Sequence, residues 1–94
     1  MIQNAITGAS RPVLDRRFRL QWEPAQNAHV LLYPEGMIKL NASAGEILKR
    51  CDGTATVDDI TTDLERAFSA TGLAGDVAAF LAMAVDKRWV EVRP

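Results

Sequence analysis

The hydrophobic pattern of the chain changes its period once, near residue 40, and this change limits the folds available to it. Between residues 18 and 40 apolar residues largely alternate with polar ones, which is typical of β-strands. After residue 40 they recur every three or four residues, as on one face of a helix. Because strands and helices do not alternate along the chain, a βαβ sheet is excluded, and the sequence predicts an α+β fold.

Three strands of an antiparallel meander are predicted in the first half of the chain. Phe18, Leu20 and Trp22 share one face of the first strand, and Pro24 ends it. The second strand covers residues 29–33 and is apolar on both faces, so both faces are expected to be covered. A turn at residues 34–36 (Pro-Glu-Gly) leads into the third strand, residues 37–40.

Three helices and a short extended segment are predicted after the meander. The first helix is capped by Asn41 or Ser43, the second by Thr56, and the third runs from about residue 73 to 87. Residues 89–92 alternate again and are expected to form a final strand or an extended tail. The apolar stripes of the three helices are, in chain order, Ala44, Ile47, Leu48 and Cys51; Val57, Ile60, Leu64, Ala67 and Phe68; and Val77, Phe80, Leu81, Ala84 and Val85.

The length of 94 residues suits one domain. Residues 1–11 carry no sustained hydrophobic period and precede Pro12, so they are expected to form a flexible arm in front of a domain spanning residues 12–94. Neither an export signal nor an apolar run long enough to cross a bilayer is readable, and a cytoplasmic location is expected.

No set of residues in the sequence indicates catalysis. One cysteine, Cys51, and one histidine, His29, do not supply a metal site, and no residue pattern suggests a nucleophile or a phosphate-binding loop. Cys51 falls on the apolar stripe of the first helix, where a thiol acts as a small hydrophobe. The sequence therefore predicts a binding protein that is not an enzyme and has no cofactor.

Strands followed by three helices are similar to a winged helix-turn-helix, so a DNA-binding regulator is the alternative function. A helix that reads DNA needs basic or amide side chains near its start. The third helix instead begins with residues 73–79 (LAGDVAA), and the net charge of the chain is −1. Both observations argue against nucleic acid as a partner.

Peptide binding fits the predicted elements better. The outer strand at residues 37–40 keeps unpaired backbone groups that can pair with an extended peptide. The third helix is rich in alanine and contains Met83, which would leave room for a guest chain beside it. Alanine is also the strongest helix former and permits close packing, so these residues alone favour neither interpretation.

Several segments taken together resemble the PqqD family of pyrroloquinoline quinone biosynthesis. The resemblance extends over about residues 12–92. Its segments are residues 12–18, 19–23 (RLQWE), 29–41 (HVLLYPEGMIKLN), 44–48 (AGEIL) and 51–53 (CDG), with Val57, Asp59, Ile60, Asp76, Val77, Phe80 and Leu81 in the helices. It implies a non-enzymatic peptide chaperone with a winged-helix-like fold. Such a chaperone would bind the precursor peptide PqqA and present it to PqqE, a radical S-adenosylmethionine enzyme.

The resemblance also implies where the peptide binds. The peptide would add as a strand along Met37, Ile38, Lys39 and Leu40, against a wall formed by Asp76, Ala79, Phe80, Met83 and Lys87 of the third helix. The opposite flank of that helix, with Ala78, Ala82, Val85 and Trp89, is the alternative wall. Lys39, Lys87 and Arg88 would attract an acidic peptide. The oligomeric state is left open, with a homodimer as one outcome of the unpaired edge.

Overall fold

Two antiparallel sheets and three helices make up residues 6–93, the part of the chain that the computed structural model describes. The elements are β1 (Arg11–Leu14), β2 (Arg19–Glu23), β3 (Ala28–Tyr33), β4 (Gly36–Lys39), α1 (Ala42–Lys49), α2 (Val57–Ala67), α3 (Ala74–Asp86) and β5 (Val90–Arg93). Strands β2, β3 and β4 form the meander, and β1 pairs with β5. The predicted α+β fold, a meander followed by three helices, is confirmed.

The central strand β3 anchors the meander in the core. Leu31 lies opposite Leu20 of β2 and Ile38 of β4, so apolar residues of all three strands face the helices. Val30 and Leu31 are adjacent in β3, and both are fully buried. Because neighbouring residues of a strand point to opposite faces, both faces of β3 are covered, as the sequence predicts.

Side-chain caps fix the starts of the first two helices. The Asn41 side chain accepts the backbone N–H of Ala44 at 2.8 Å, so Asn41 is the cap of α1. Ser43, the other predicted cap, instead places its hydroxyl 3.1 Å from the Asn41 side-chain oxygen. At α2, Thr56 and Asp59 each accept the other's backbone N–H at 3.0 Å, which completes a capping box.

The apolar stripe predicted for α1 is buried in full, whereas the stripes of α2 and α3 are correct only in part. Phe80 and Val85 of α3 are half-buried and pack on the edge of the core. The prediction for Ala67 and Phe68 is wrong, because both are exposed. α2 ends at Ala67, and Phe68 is the C-cap, where the chain turns away from the core.

Residues 6–10 lie against α2, which differs from the flexible arm expected for residues 1–11. The carbonyls of Gly8 and Ser10 accept the backbone N–H groups of Asp58 and Val57 at 3.0 and 2.9 Å. They satisfy amides that the first turn of any helix leaves unpaired, and Ile6 packs against the core. Such backbone contacts leave no pattern in a sequence. The expectation for residues 1–5 lies outside the described residues.

β1 extends this N-terminal contact and was not expected from the sequence. It begins at Arg11 and pairs with β5, so the final strand that was one of the two expectations for residues 89–92 is present, one residue further along at Val90–Arg93. Its other edge meets the α1–α2 connection, where the Pro12 carbonyl accepts the Gly53 N–H at 3.0 Å and the Leu14 N–H donates to the Cys51 carbonyl at 3.2 Å. β1 therefore joins the C-terminal strand β5 to the α1–α2 connection.

Gly45 allows α1 to approach the sheet closely. A Cβ atom at this position would lie 2.7 Å from Nδ1 of His29 and 3.0 Å from its Cβ. Gly75, near the start of α3, has no heavy atom within 4 Å of the corresponding point. The two helical glycines therefore differ in their role, since one is required by packing and the other is not.

We expect Gly45→Ala and Gly75→Ala to change stability in opposite directions. Gly45→Ala forces His29 and the backbone of β3 to shift, and should lower the free energy of unfolding by about 1–3 kcal/mol. Gly75→Ala should raise it by about 0.5 kcal/mol, because alanine favours a helix. Urea unfolding followed by circular dichroism measures both. Equal stabilisation by the two substitutions would contradict the close packing of α1 on β3.

Candidate functional site

The free edge of β4 presents two residues whose backbone groups point away from the sheet. Among the described residues, β4 has β3 as its one strand neighbour. The Leu40 N–H donates to the His29 carbonyl at 3.0 Å, so these opposed residues form a hydrogen-bonded pair. Such pairs alternate along an antiparallel ladder. Ile38 therefore bonds to β3, while the N–H and C=O groups of Met37 and Lys39 face outward.

The side chains of the same strand divide between the two faces. Ile38 is half-buried and Leu40 buried, and both face the helices. Met37 and Lys39 are exposed on the outer face, and Met37 is 48% accessible. The predicted segment of residues 37–40 is thus an edge strand with an apolar inner face. The outward backbone groups belong to two of its four residues.

An apolar cleft of about 510 Å³ opens between the three helices. Ala42 and Ser43, which follow β4 in the chain, form one end of it. Its remaining lining is mostly apolar and comes from the middle of α1, the end of α2, the α2–α3 connection and the first half of α3: Glu46, Ile47, Leu64, Phe68, Ala70, Leu73, Asp76, Val77 and Phe80.

Two polar contacts hold the walls of this cleft. The Glu65 carboxylate accepts the Leu73 N–H at 2.9 Å, which fixes the α2–α3 connection. Arg50 donates to Glu46 at 2.8 Å and to Asp63 at 2.6 Å, and so joins α1 to α2. The hydrogen bond from Arg50 lowers the pKa of Glu46 below its usual value. Glu46 therefore lines the cleft as a carboxylate whose charge is balanced by Arg50.

The structure brings together two of the five α3 residues predicted for the binding site. Asp76 and Phe80 line the cleft beside the start of α1. Ala79 is exposed next to them, Met83 is half-buried one turn further along, and Lys87 is exposed at the C-cap. These last three extend the same flank of α3 beyond the cleft.

The alternative flank of α3 faces a different cleft, of about 710 Å³, between α3 and β5. Ala82 and Val85 line it, as does Arg88, which was grouped with Lys39 and Lys87 as a charge that would attract the peptide. The rest of the lining combines Val90 and Val92 with charged residues, among them the ion pair of Asp15 and Arg17 at 2.9 Å. The two flanks of α3 thus line separate clefts, and Arg88 lines the cleft between α3 and β5.

Sequence reasoning missed the α1 and α2 walls of the apolar cleft. The apolar stripe predicted for α2 includes Phe68, yet this residue is 56% exposed and lines the cleft. The sequence pattern marks Leu73 only as the approximate start of the third helix. The available signal was the position of Phe68 directly before a loop of small residues, where a helix stripe loses contact with the core.

The residues considered for catalysis occupy structural positions. Cys51 is buried, its thiol lies 3.4 Å from the Ile47 carbonyl, and burial raises its pKa to about 12. The His29 ring packs edge-on against Trp22, with ring centroids 5.1 Å apart. Within residues 6–93 no cluster of three His, Cys, Asp or Glu side chains is placed to hold a metal ion. None of the helices described is long and apolar enough to cross a bilayer.

Comparison with known proteins assigns the family. Residues 28–90 match the model of the family described as Coenzyme PQQ synthesis protein D (PqqD). A PqqA binding protein of Stutzerimonas stutzeri is 55% identical over 83 residues, which cover 87% of this chain and 90% of that protein. One from Azotobacter vinelandii is 50% identical, over 86% of this chain and 89% of its own length.

A solved structure supports the same assignment. It is the solution NMR structure of the PqqD truncation of Methylobacterium extorquens PqqCD, described as a functional, stand-alone recognition element for ribosomally synthesized and post-translationally modified peptides. It is 35% identical to this chain, has a TM-score of 0.78, and the match covers 93% of this chain and 95% of that one. With a family model spanning most of the chain and relatives at half identity, this protein belongs to the PqqD family.

Proposed function

We propose that this protein is a non-enzymatic peptide chaperone of pyrroloquinoline quinone biosynthesis that binds the precursor peptide PqqA by strand addition to β4. The names of its relatives support a role in PqqA binding. The observation that carries the mode of binding is the outward direction of the Met37 and Lys39 backbone groups on an edge strand. An added strand would pair with these two residues and extend the meander to four strands.

The flank of α3 that contains Asp76 and Phe80 would form the opposite wall. This flank shares a cleft with Ala42 and Ser43, which continue the chain from β4. The other flank, with Ala82 and Val85, opens toward β5 instead. Continuity with the β4 edge therefore favours Asp76, Ala79, Phe80, Met83 and Lys87 as the residues that contact the peptide.

The partner that modifies the bound peptide is expected to be the radical S-adenosylmethionine enzyme PqqE, as the family resemblance implies. The protein itself would supply binding and orientation, since the one buried thiol is held protonated and the one histidine packs against Trp22. A ribosomally made peptide would be met in the cytoplasm. A homodimer formed through the β4 edge would compete with the peptide, because both need the same backbone groups.

We expect titration with PqqA from the same genome, followed by amide chemical shifts at moderate salt, to move Met37, Lys39 and the first half of α3 most. New hydrogen bonds to outward amides change their shifts directly, whereas the inward Ile38 amide should respond less. Duplex DNA serves as the comparison ligand. If saturating peptide leaves these amides unmoved while DNA moves them, a DNA-binding regulator replaces the chaperone.

Met37→Pro tests the backbone contact without removing a hydrogen bond of the sheet. Proline is tolerated on an edge strand where its nitrogen faces outward, so the fold should be kept. Loss of one outward donor should weaken PqqA binding by about three- to tenfold. Met37→Ala is the matched control, since it removes the side chain and keeps the N–H. Equal affinities of the two variants in calorimetric titration would argue against strand addition at Met37.

A further inference from the structure

The meander has a second free edge, which belongs to β2. Among the described residues, β2 has β3 as its one strand neighbour. On β3, the backbone groups of His29 point toward β4, so those of the next residue, Val30, point toward β2. Val30 lies opposite Gln21. Gln21 therefore bonds to β3, and the N–H and C=O groups of its neighbours Leu20 and Trp22 face outward.

The sequence of β2 is complementary to a second copy of β2 that runs antiparallel to it. Outward groups of two such strands bond when Leu20 of each copy lies opposite Trp22 of the other. This register uses both outward residues of each strand, and it centres on Gln21, which then lies opposite Gln21 of the second copy. The same register places Arg19 of each copy opposite Glu23 of the other.

The outer face of the paired strands would gain two ion pairs. Arg19 is exposed and Glu23 is half-buried. Among the described residues neither has an ion-pair partner within its own chain. Opposite charges directly across two antiparallel strands stabilise their pairing, whereas like charges at such positions destabilise it.

The helix-facing side of the paired strands would gain two apolar contacts. Trp22 lies opposite His29 of β3, on the same face as Leu20 and Leu31. Leu20 is half-buried, while Trp22 is 48% exposed. Leu20 of each copy would therefore cover part of the Trp22 ring of the other, and burial of this aromatic surface favours association.

The β4 edge lacks this complementarity. Its outward residues are Met37 and Lys39, so the corresponding register places Met37 opposite Lys39 of the second copy and Ile38 opposite Ile38. No pair of opposite charges results. A net charge of −1 gives two copies little mutual repulsion. Of the two edges of the meander, β2 is therefore the one that fits a second copy of this chain.

We propose that two copies of this protein associate through β2 in the register centred on Gln21. The two meanders would form one antiparallel sheet of six strands, with a free β4 edge at each end. A symmetric contact of this kind closes on two copies. Because the edge has few residues and is smaller than a standard interface, the dissociation constant should be on the order of 10–100 μM. The inference does not depend on peptide binding at β4.

Charge reversal tests the register. Arg19→Glu and Glu23→Arg each place like charges opposite one another at both pairs, so each should weaken self-association about tenfold. The double variant Arg19→Glu/Glu23→Arg restores opposite charges and should associate like the wild type. An equimolar mixture of the two single variants should form a mixed dimer for the same reason. Sedimentation velocity at low ionic strength, from about tenfold below to about tenfold above the expected dissociation constant, measures all of them.

Lys39→Glu is the matched control, because it reverses an exposed charge on β4 and should leave self-association unchanged. Circular dichroism checks that each variant keeps the fold. A wild-type protein that stays monomeric over this range would overturn the proposal, as would single reversals that associate like the wild type. Loss of the dimer in Met37→Pro, with no effect of the β2 reversals, would place the contact at β4 instead. Failure of both the double variant and the mixture to restore association would show that this register is wrong.

Discussion

The pairing of β3 with β4 decides which atoms of this protein are free to bind another polypeptide. Leu31 opposite Ile38 puts the apolar side of β4 against the helices, and the same register turns the backbone groups of Met37 and Lys39 outward. If β4 slipped by one residue along β3, Ile38 and Leu40 would become exposed. Their backbone groups, rather than those of Met37 and Lys39, would then face outward. The hydrophobic core and the proposed binding edge therefore depend on one register.

The second constraint is the position of α3 between two clefts of different character. Its inner stripe, Val77, Leu81 and Ala84, is buried, which leaves a flank on each side. One flank meets the α1–α2 pair across an apolar cleft, and the other meets β5 across a cleft lined by valines and charged residues. Ala42 and Ser43, which follow β4 in the chain, contribute to the apolar cleft.

Much of this arrangement could be predicted from the sequence, because it depends on local periodicity and capping. The switch near residue 40, the Thr56 cap and the buried stripe of α1 follow from residue types and spacing. Contacts between distant segments could not be predicted: β1 pairs with β5 through backbone groups, and the carbonyls of Gly8 and Ser10 cap α2 without any side chain. The error at Phe68 has a different origin: the helical stripe alone does not show where the core ends, and the loop of small residues after Phe68 was the signal that did.

Intermolecular nuclear Overhauser effects test most directly whether PqqA binds as an antiparallel strand along β4. Because Met37 and Lys39 would form the hydrogen-bonded pairs, Ile38 would lie between them in a non-hydrogen-bonded pair, where opposed Cα atoms approach to about 4.5 Å. We expect a strong contact between the Ile38 Hα and one peptide Hα in the labelled complex. Contacts confined to the cleft between α3 and β5, with none at Ile38, would contradict this account.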